Sequence, residues 1–372
     1  MKLAIITIVK HSNKGGTYYG YGPYVREMNL WGKYVDELLV VGPEQEAMKE
    51  GIDSAYDHPH LNFTSVPSFD ILSFGAAILA IFKIPIIFFK ICKVMRRADH
   101  IHLRCPGNIS LIGCFAQIFF PKKAKSTKYA GNWDPNSNQP WSYRMQQAIL
   151  RNRILTRNMQ VLVYGAWPHE PSHVRPFISA TYYEKERIPY VPRDYTQPLK
   201  FVFAASLVEG KRPLLTVQII EALNAKGYPS VLHLFGDGPL MDELQNYVKE
   251  KQLEGQVLLL GNRERDEVRD AYMDAHFNIL PSKSEGWPKA VAEGMFFGCV
   301  PIATSVSCVD WMLDYGSRGI VIKPELDSAV GTIVEHLETN LTIMARLALE
   351  WSQLYTFDRL ETDIKKVLDG TF

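Results

Sequence analysis

The five cysteines of this 372-residue chain (Cys92, Cys105, Cys114, Cys299 and Cys308) form no CxxC pair and no metal-ligand spacing. Their number is odd, and most lie in apolar stretches. A disulfide framework and a structural zinc site are therefore excluded, and reduced, buried thiols of a cytoplasmic protein are expected. Excess charge is lacking as well: 41 basic residues face 40 acidic ones, for a net charge of +1. Broad nucleic-acid binding needs a basic face, so no nucleic-acid partner is expected. There is no repeat of solenoid length and no low-complexity segment. The N-terminal run Met1–Val9 lacks the length and the small-residue cleavage site of a signal peptide, and reads instead as a first buried strand.

What is present is enough apolar material, 47% of the chain, to fill two α/β cores. Short apolar runs alternate with helical patterns. Strands are expected near Lys2–Val9, Glu37–Val41, His100–Arg104, Ser126–Tyr129 and Val161–Tyr164. In the second half they fall near Phe201–Ala205, Val231–Phe235, Val257–Leu260, Phe277–Leu280, Val300–Ala303 and Gly319–Ile322. Helical patterns lie between them, which implies parallel sheets with right-handed crossovers. Three prolines between Ile188 and Pro198 mark a linker. The fold class read from this is α/β, with two doubly wound Rossmann-like domains facing a cleft. The first is residues 1–190 and the second 197–349. The amphipathic C-terminal segment, about 350–372, is expected to pack back on the first. The cleft is the expected ligand site.

The most informative stretch is Leu280–Gly294, LPSKSEGWPKAVAEG. It reads as a strand end, a polar loop, and a helix whose first position is Pro288. Glu285 lies in the loop and Glu293 two turns into the helix. A strand end and a helix N-terminus suit an anionic ligand. Two carboxylates there are ill suited to phosphate but are strong acceptors for hydroxyls. Phosphate together with many hydroxyls describes a nucleotide sugar.

Residues 200–370 resemble the donor-binding domain of retaining glycosyltransferases of family 4, the glycosyl transferases group 1, with the GT-B fold. The resemblance rests on motifs in family order: Ala205–Lys211 as the first strand-loop with a phosphate-binding lysine, the Gly236-Asp-Gly-Pro239 turn, the Gly261–Arg263 loop, the Glu285-x7-Glu293 pair, and Gly298–Thr304. Trp351–Asp358 is similar to the family's closing helix. Each motif alone is weak, but five in register are specific.

The resemblance implies roles. Glu293 would hold ribose hydroxyls, Glu285 the donor sugar, and Lys211 the diphosphate as a point charge. The backbone of Gly286, Trp287 and Pro288 would meet the donor's sugar and phosphates, while the Trp287 side chain could equally pack between the domains. Gly236 would serve its turn, and Asn262 and Arg263 would border the base. Where the family carries an arginine ahead of the lysine, this chain has Ser206, and Arg212 is the nearest compensating charge. In the first half, Gly15 and Gly16 match paired glycines that let backbone approach a diphosphate, in a loop also rich in tyrosine. Arg26 and Glu27 read as a pair with each other or with solvent. Arg104, at a strand end, is expected to touch phosphate or acceptor. Ala130 stands where many members carry a cleft histidine, leaving that role to Asn132 or Asp134, with His11, His100, His102 and His169 as further candidates.

The activity implied is transfer of a hexosyl unit, with retention, from a nucleoside-diphosphate sugar to a hydroxyl of a glycan or lipid-linked acceptor. No Asp-x-Asp motif is present, and the family needs no metal or other cofactor. A nucleotide-sugar epimerase or hydrolase on the same fold, or a non-catalytic sugar-nucleotide-binding module, are the alternatives. One more segment stands out. Ile71–Phe89 is strongly apolar but broken by Lys83 and Pro85, which argues against a transmembrane span. With Lys83, Lys90, Lys93 and Arg97 near one stripe, residues 71–97 read either as an interfacial helix on the inner face of a membrane or as a buried helix with one wet face.

Overall fold

A computed structural model describes residues 1–48, 52–69, 74–196 and 198–372. The chain divides into two units, Met1–Phe177 with Leu360–Phe372, and Ile178–Arg359.

In the first unit seven of the described strands form a parallel sheet. Its spatial order is Val174–Phe177, Met159–Tyr164, Ala124–Tyr129, His100–Cys105, Lys2–Ile6, Glu37–Gly42, Leu61–Ser65. Leu3–Ile6 and Leu38–Val41 are buried throughout, as expected of strands covered on both faces. Chain order reverses between Lys2–Ile6 and His100–Cys105. The second unit repeats the pattern with six parallel strands, Val257–Gly261, Ser230–Phe235, Leu199–Ala204, Phe277–Leu280, Val300–Thr304, Ile320–Ile322. Its reversal falls between Leu199–Ala204 and Phe277–Leu280. In a doubly wound sheet the loops leaving the carboxyl ends of the two strands at such a reversal leave a crevice open to ligand.

The division between units lies upstream of the proline-rich stretch, because that stretch is tied into the second unit. Tyr182 packs on Phe296 and Phe297 with ring centroids 5.0 and 4.8 Å away. Arg193 donates to the carbonyls of Tyr272 at 3.0 Å and Phe297 at 2.7 Å, using carbonyls near two helix ends.

Several elements differ from the sequence reading. The loop after the first strand is an antiparallel hairpin, His11–Lys14 with Thr17–Tyr21, joined by a third strand, Asp53–Ala55. Gly15 and Gly16 are its two-residue turn, at φ 62° and 88°, the conformation that such hairpin turns demand and glycine supplies. Leu61–Ser65 and Val174–Phe177 are additional edge strands, too short and mixed to stand out by periodicity. The helix after Gly286 runs Lys289–Phe296, so Pro288 is its N-cap and not its first helical residue. The C-terminal segment is two helices, Leu341–Ser352 and Phe357–Asp369. The first belongs to the second unit, while Leu360–Phe372 belongs to the first.

The apolar arm forms a helix, Phe74–Arg97; Ile71–Ser73 lie outside the described residues. Ile87, Ile91, Val94 and Met95 are buried in the core of the first unit. Phe82, Ile84, Ile86 and Phe89 are exposed. Lys83 and Lys90 reach back to the carbonyls of Ser68 and Ser65. Among the described residues no helix is long and apolar enough to cross a membrane.

Candidate functional site

In the second unit the reversal of strand order sets two loops side by side. The loop 205–212 leaves the strand Leu199–Ala204, and the loop 281–288 leaves Phe277–Leu280. Backbone bonds hold them together: Lys283 N–H donates to Gly210 O at 2.7 Å, and Arg212 Nη1 donates to Pro281 O at 2.9 Å. This brings Lys211 Nζ into a charged hydrogen bond with Glu285 Oε1. Glu285 is 8% exposed and Lys211 26%, so the pair is largely withdrawn from water, with one edge of the ammonium open.

A third loop packs under the first. Gly236 N–H donates to Gly261 O at 2.9 Å, and Leu207 N–H donates to Asp237 O at 3.0 Å. A Cβ on Gly236 would collide with the Ala205 carbonyl oxygen, and one on Gly238 would lie 2.6 Å from Leu207 O. The Gly-Asp-Gly-Pro turn is thus made of glycine because the lysine-bearing loop leaves no room for a side chain. Ser206 is exposed beside it. Asn262 and Arg263 are exposed at the end of the strand Val257–Gly261, where Arg263 Nε donates to Leu260 O at 2.9 Å.

Gly286 O accepts from Ser307 Oγ at 3.1 Å and Cys308 Sγ at 3.3 Å, anchoring the corner. Trp287 is buried in an aromatic cluster of the second unit itself. It lies 6.1 Å from Trp351, nearly parallel, and near Trp311 and Tyr355. Its side chain is therefore a wall of this unit, which the isolated sequence could not distinguish from an interdomain contact. Glu293 is half-buried and lines a narrow crevice with Tyr182, Trp287 and Tyr355. Burial first, and then the Glu293 charge, raise the hydroxyl pKa of Tyr182 and of Tyr272. Neither Glu285 nor Glu293 is in bulk water.

In the first unit Arg104 ends the strand His100–Cys105. Its Nη1 donates to Glu27 Oε1 at 2.7 Å, and Lys128 Nζ donates to Glu27 Oε2 at 2.9 Å. Lys128 and Glu27 are buried and Arg104 is partly so, at 1%, 9% and 12% side-chain exposure. Glu27 is thus neither paired with Arg26 nor solvated, because its helix, Gly22–Gly32, turns it onto the sheet. Burial alone would raise the Glu27 carboxyl, but Arg104 and Lys128 outweigh it and hold it at about 2. The sequence marked Arg104 and passed over Glu27 and Lys128, because the strand Ala124–Tyr129, AKSTKY, is polar in four of its six residues and carries no apolar signal of burial.

Asn132 and Asp134 cap their own loop. Asn132 Oδ1 accepts from Asp134 N–H at 2.9 Å, and Asp134 Oδ1 from Asn136 N–H at 2.8 Å, the local turns typical of these residues. Gly15 and Gly16 are exposed at the hairpin tip. His11 is buried against Tyr56, 2.8 Å from its hydroxyl, and burial lowers it to about 4. His100 and His102 are buried and share Ser126 Oγ, each at 2.8 Å.

Residues 184–347, which contain the paired loops, match the family model of glycosyl transferases group 1. That segment is similar in sequence to the glycosyl transferases group 1. The chain is 28% identical over 137 residues to the putative colanic acid biosynthesis glycosyltransferase WcaL of Salmonella typhimurium, covering 35% of this chain and 34% of that protein. It is also 26% identical over 140 residues to an uncharacterized glycosyltransferase of Methanocaldococcus jannaschii, covering 37% of this chain and 39% of that protein. The chain thus spans little more than a third of the length of the curated relatives it matches. Similar solved structures cover the whole chain. Anabaena HepE in complex with UDP superposes with a TM-score of 0.70 at 16% identity over 100% of both chains. The sucrose-phosphate synthase of Thermosynechococcus elongatus does so with 0.65 at 14% identity over 99% of this chain and 98% of that one. The fold of the two doubly wound units is GT-B. The segment similar to the glycosyl transferases group 1 carries the largely buried Lys211–Glu285 pair at the strand-order reversal of the second unit.

Proposed function

We propose that the protein transfers a hexosyl unit from a nucleoside-diphosphate sugar to a hydroxyl of a glycan or lipid-linked acceptor, with retention at the anomeric carbon. The observation that carries the reading is the Lys211–Glu285 pair where strand order reverses in the segment similar to the glycosyl transferases group 1. In this reading the donor's diphosphate lies against Lys211 and the loop amides. Glu285 accepts from sugar hydroxyls and Glu293 from ribose hydroxyls. The bond between the anomeric carbon and the diphosphate oxygen breaks, and the acceptor oxygen attacks from the same face. The acceptor's proton passes to the departing phosphate oxygen. Lys211 and the helix amides take up the charge that develops on the leaving group, so the step is assigned to this chain's own groups, with no metal or cofactor. The name of WcaL, a putative colanic acid biosynthesis enzyme, and the UDP and UDP-glucose complexes of HepE favour surface-polysaccharide synthesis and make uridine nucleotides the first donors to test.

A thermal-shift panel of nucleoside-diphosphate sugars tests the reading. A cognate donor at 100 times its Kd stabilises the folded protein by about 2.7 kcal/mol. Glu293→Ala is expected to weaken that donor by roughly 10- to 100-fold, the worth of hydrogen bonds to a charged group. A panel with no shift at all would discard the donor site. Release of an isomer or of free sugar from donor alone would favour the epimerase or hydrolase.

A lipid-linked acceptor, met at the cytoplasmic face of a membrane, fits the exposed Phe82, Ile84, Ile86 and Phe89 beside Lys93 and Arg96. The protein is expected to co-sediment with anionic vesicles at low salt, and Phe82→Ser/Phe89→Ser to abolish this. Equal sedimentation of wild type and variant removes the membrane from the reading.

A further inference from the structure

At the amino ends of the first sheet's strands, the opposite end from Arg104, lies a cavity of about 550 Å³. It is a common size for a small-ligand site. Four cations line it, Lys122, Lys125, Arg153 and Arg157, and among the described residues no carboxylate does. None of the four has an ion-pair partner among the described residues. Arg153 and Arg157 are exposed at the rim, and Lys125 is 2% exposed.

Lys125 is the residue that needs explaining. A buried ammonium without a counter-ion is costly, yet among the described residues its Nζ meets only Gln117, at 2.8 Å to Oε1 and 3.3 Å to O. His100, also 2% exposed, lines the same cavity. Its Nε2 is engaged by Ser126, while its buried Nδ1 has no partner among the described residues. Either of two proton orders satisfies the shared serine: Ser126 O–H donates to His100 Nε2 and accepts from His102 Nδ1–H, or the reverse. Burial keeps His100 neutral, with its pKa lowered to about 4, so it adds no charge to the cavity.

We propose that this cavity is a second anion site, which binds a phosphoryl-bearing ligand through Arg153, Arg157, Lys122 and Lys125. A phosphoryl group supplies the missing counter-charge to Lys125 and matches the forked donors of the two arginines. The same chemistry is offered by a soluble polyphosphate and by a phosphomonoester lipid headgroup. The site is independent of the donor reading, since no residue of the second unit lines it.

Titration calorimetry with inorganic tripolyphosphate, and co-sedimentation with vesicles containing phosphatidic acid, distinguish the two sources. Four proteins are compared: wild type, Arg153→Ala/Arg157→Ala, Arg153→Lys/Arg157→Lys and Lys211→Ala. The rim pair is exposed, so its loss spares the fold, and the conservative Arg153→Lys/Arg157→Lys controls for charge. Binding of either probe that weakens at least about tenfold in the rim variant, partly recovers with lysines, and persists in Lys211→Ala is the expected result. Tripolyphosphate binding identifies a soluble ligand, and vesicle binding alone identifies a headgroup. Binding lost in Lys211→Ala and kept in the rim variant, or no rim-dependent binding of either probe, overturns the proposal.

Discussion

Replacement of Lys211 by alanine is expected to lower kcat by roughly 10²- to 10³-fold, with the KM for donor changed only a few-fold. The charge on a diphosphate grows as it leaves, so a cation beside it is worth more in the transition state than in the ground state. Lys211 is held for this by Glu285 and by the backbone bond from Lys283 to Gly210. The substitution also strands the Glu285 carboxylate, which is 8% exposed. Part of any loss could then come from an unpaired buried charge. Lys211→Ala/Glu285→Gln separates the two effects: it should regain thermal stability and remain slow. Steady-state kinetics on the cognate donor decide the matter, and turnover within threefold of wild type in Lys211→Ala would remove the lysine from the chemistry.

Glu27→Gln should destabilise the first unit by about 3–5 kcal/mol, the cost of breaking a buried ion cluster on one side. Its carboxylate is the partner of both Arg104 Nη1 and Lys128 Nζ. The amide leaves two buried cations facing each other. Removing the second orphan as well, in Glu27→Gln/Lys128→Met, should restore part of the loss, since apolar side chains often replace buried ions without penalty. The same cluster sets an acid dependence. The folded-state pKa of Glu27, about 2, lies below its ordinary 4.5. Its stabilising contribution is therefore complete above about pH 4.5 and is lost as pH falls toward 2. Urea unfolding between pH 7 and pH 2.5 should show a steeper acid loss in wild type than in Glu27→Gln. Parallel curves, or a variant as stable as wild type at neutral pH, would show that Glu27 does not anchor the two cations.

Much of the architecture was legible. Runs such as Leu3–Ile6 and Leu38–Val41 are buried on both faces, and continuous apolarity reports that directly. The elements that escaped notice lack that signal. The strand Leu61–Ser65 is only partly buried along its length. The hairpin His11–Tyr21 turns on two glycines that read equally well as a flexible loop. The C-terminal amphipathic stripe runs through a break after Ser352 that periodicity alone does not expose.

At the site the same division holds. The corner Leu280–Gly294 announced its carboxylates by spacing, because a loop and helix joined directly to a strand are local. The identity of each partner was not local. Lys211 and Glu285 are 74 residues apart, Arg104 and Glu27 77, Lys128 and Glu27 101.

The sequence by itself determined the continuously apolar strands and the helical patterns between them, that they alternate in two halves, and which loop carries the glutamate pair, since each of these follows from hydrophobic period and turn chemistry over a few residues. Only the tertiary structure decided which charges meet. Parallel strand order brings together loops distant in the chain, and it turned Glu27 into the anchor of two buried cations, Trp287 into a wall of its own unit, and Lys125 into an ammonium without a counter-ion. Burial and long-range pairing are properties of the packed sheet, and no pattern along the chain encodes them.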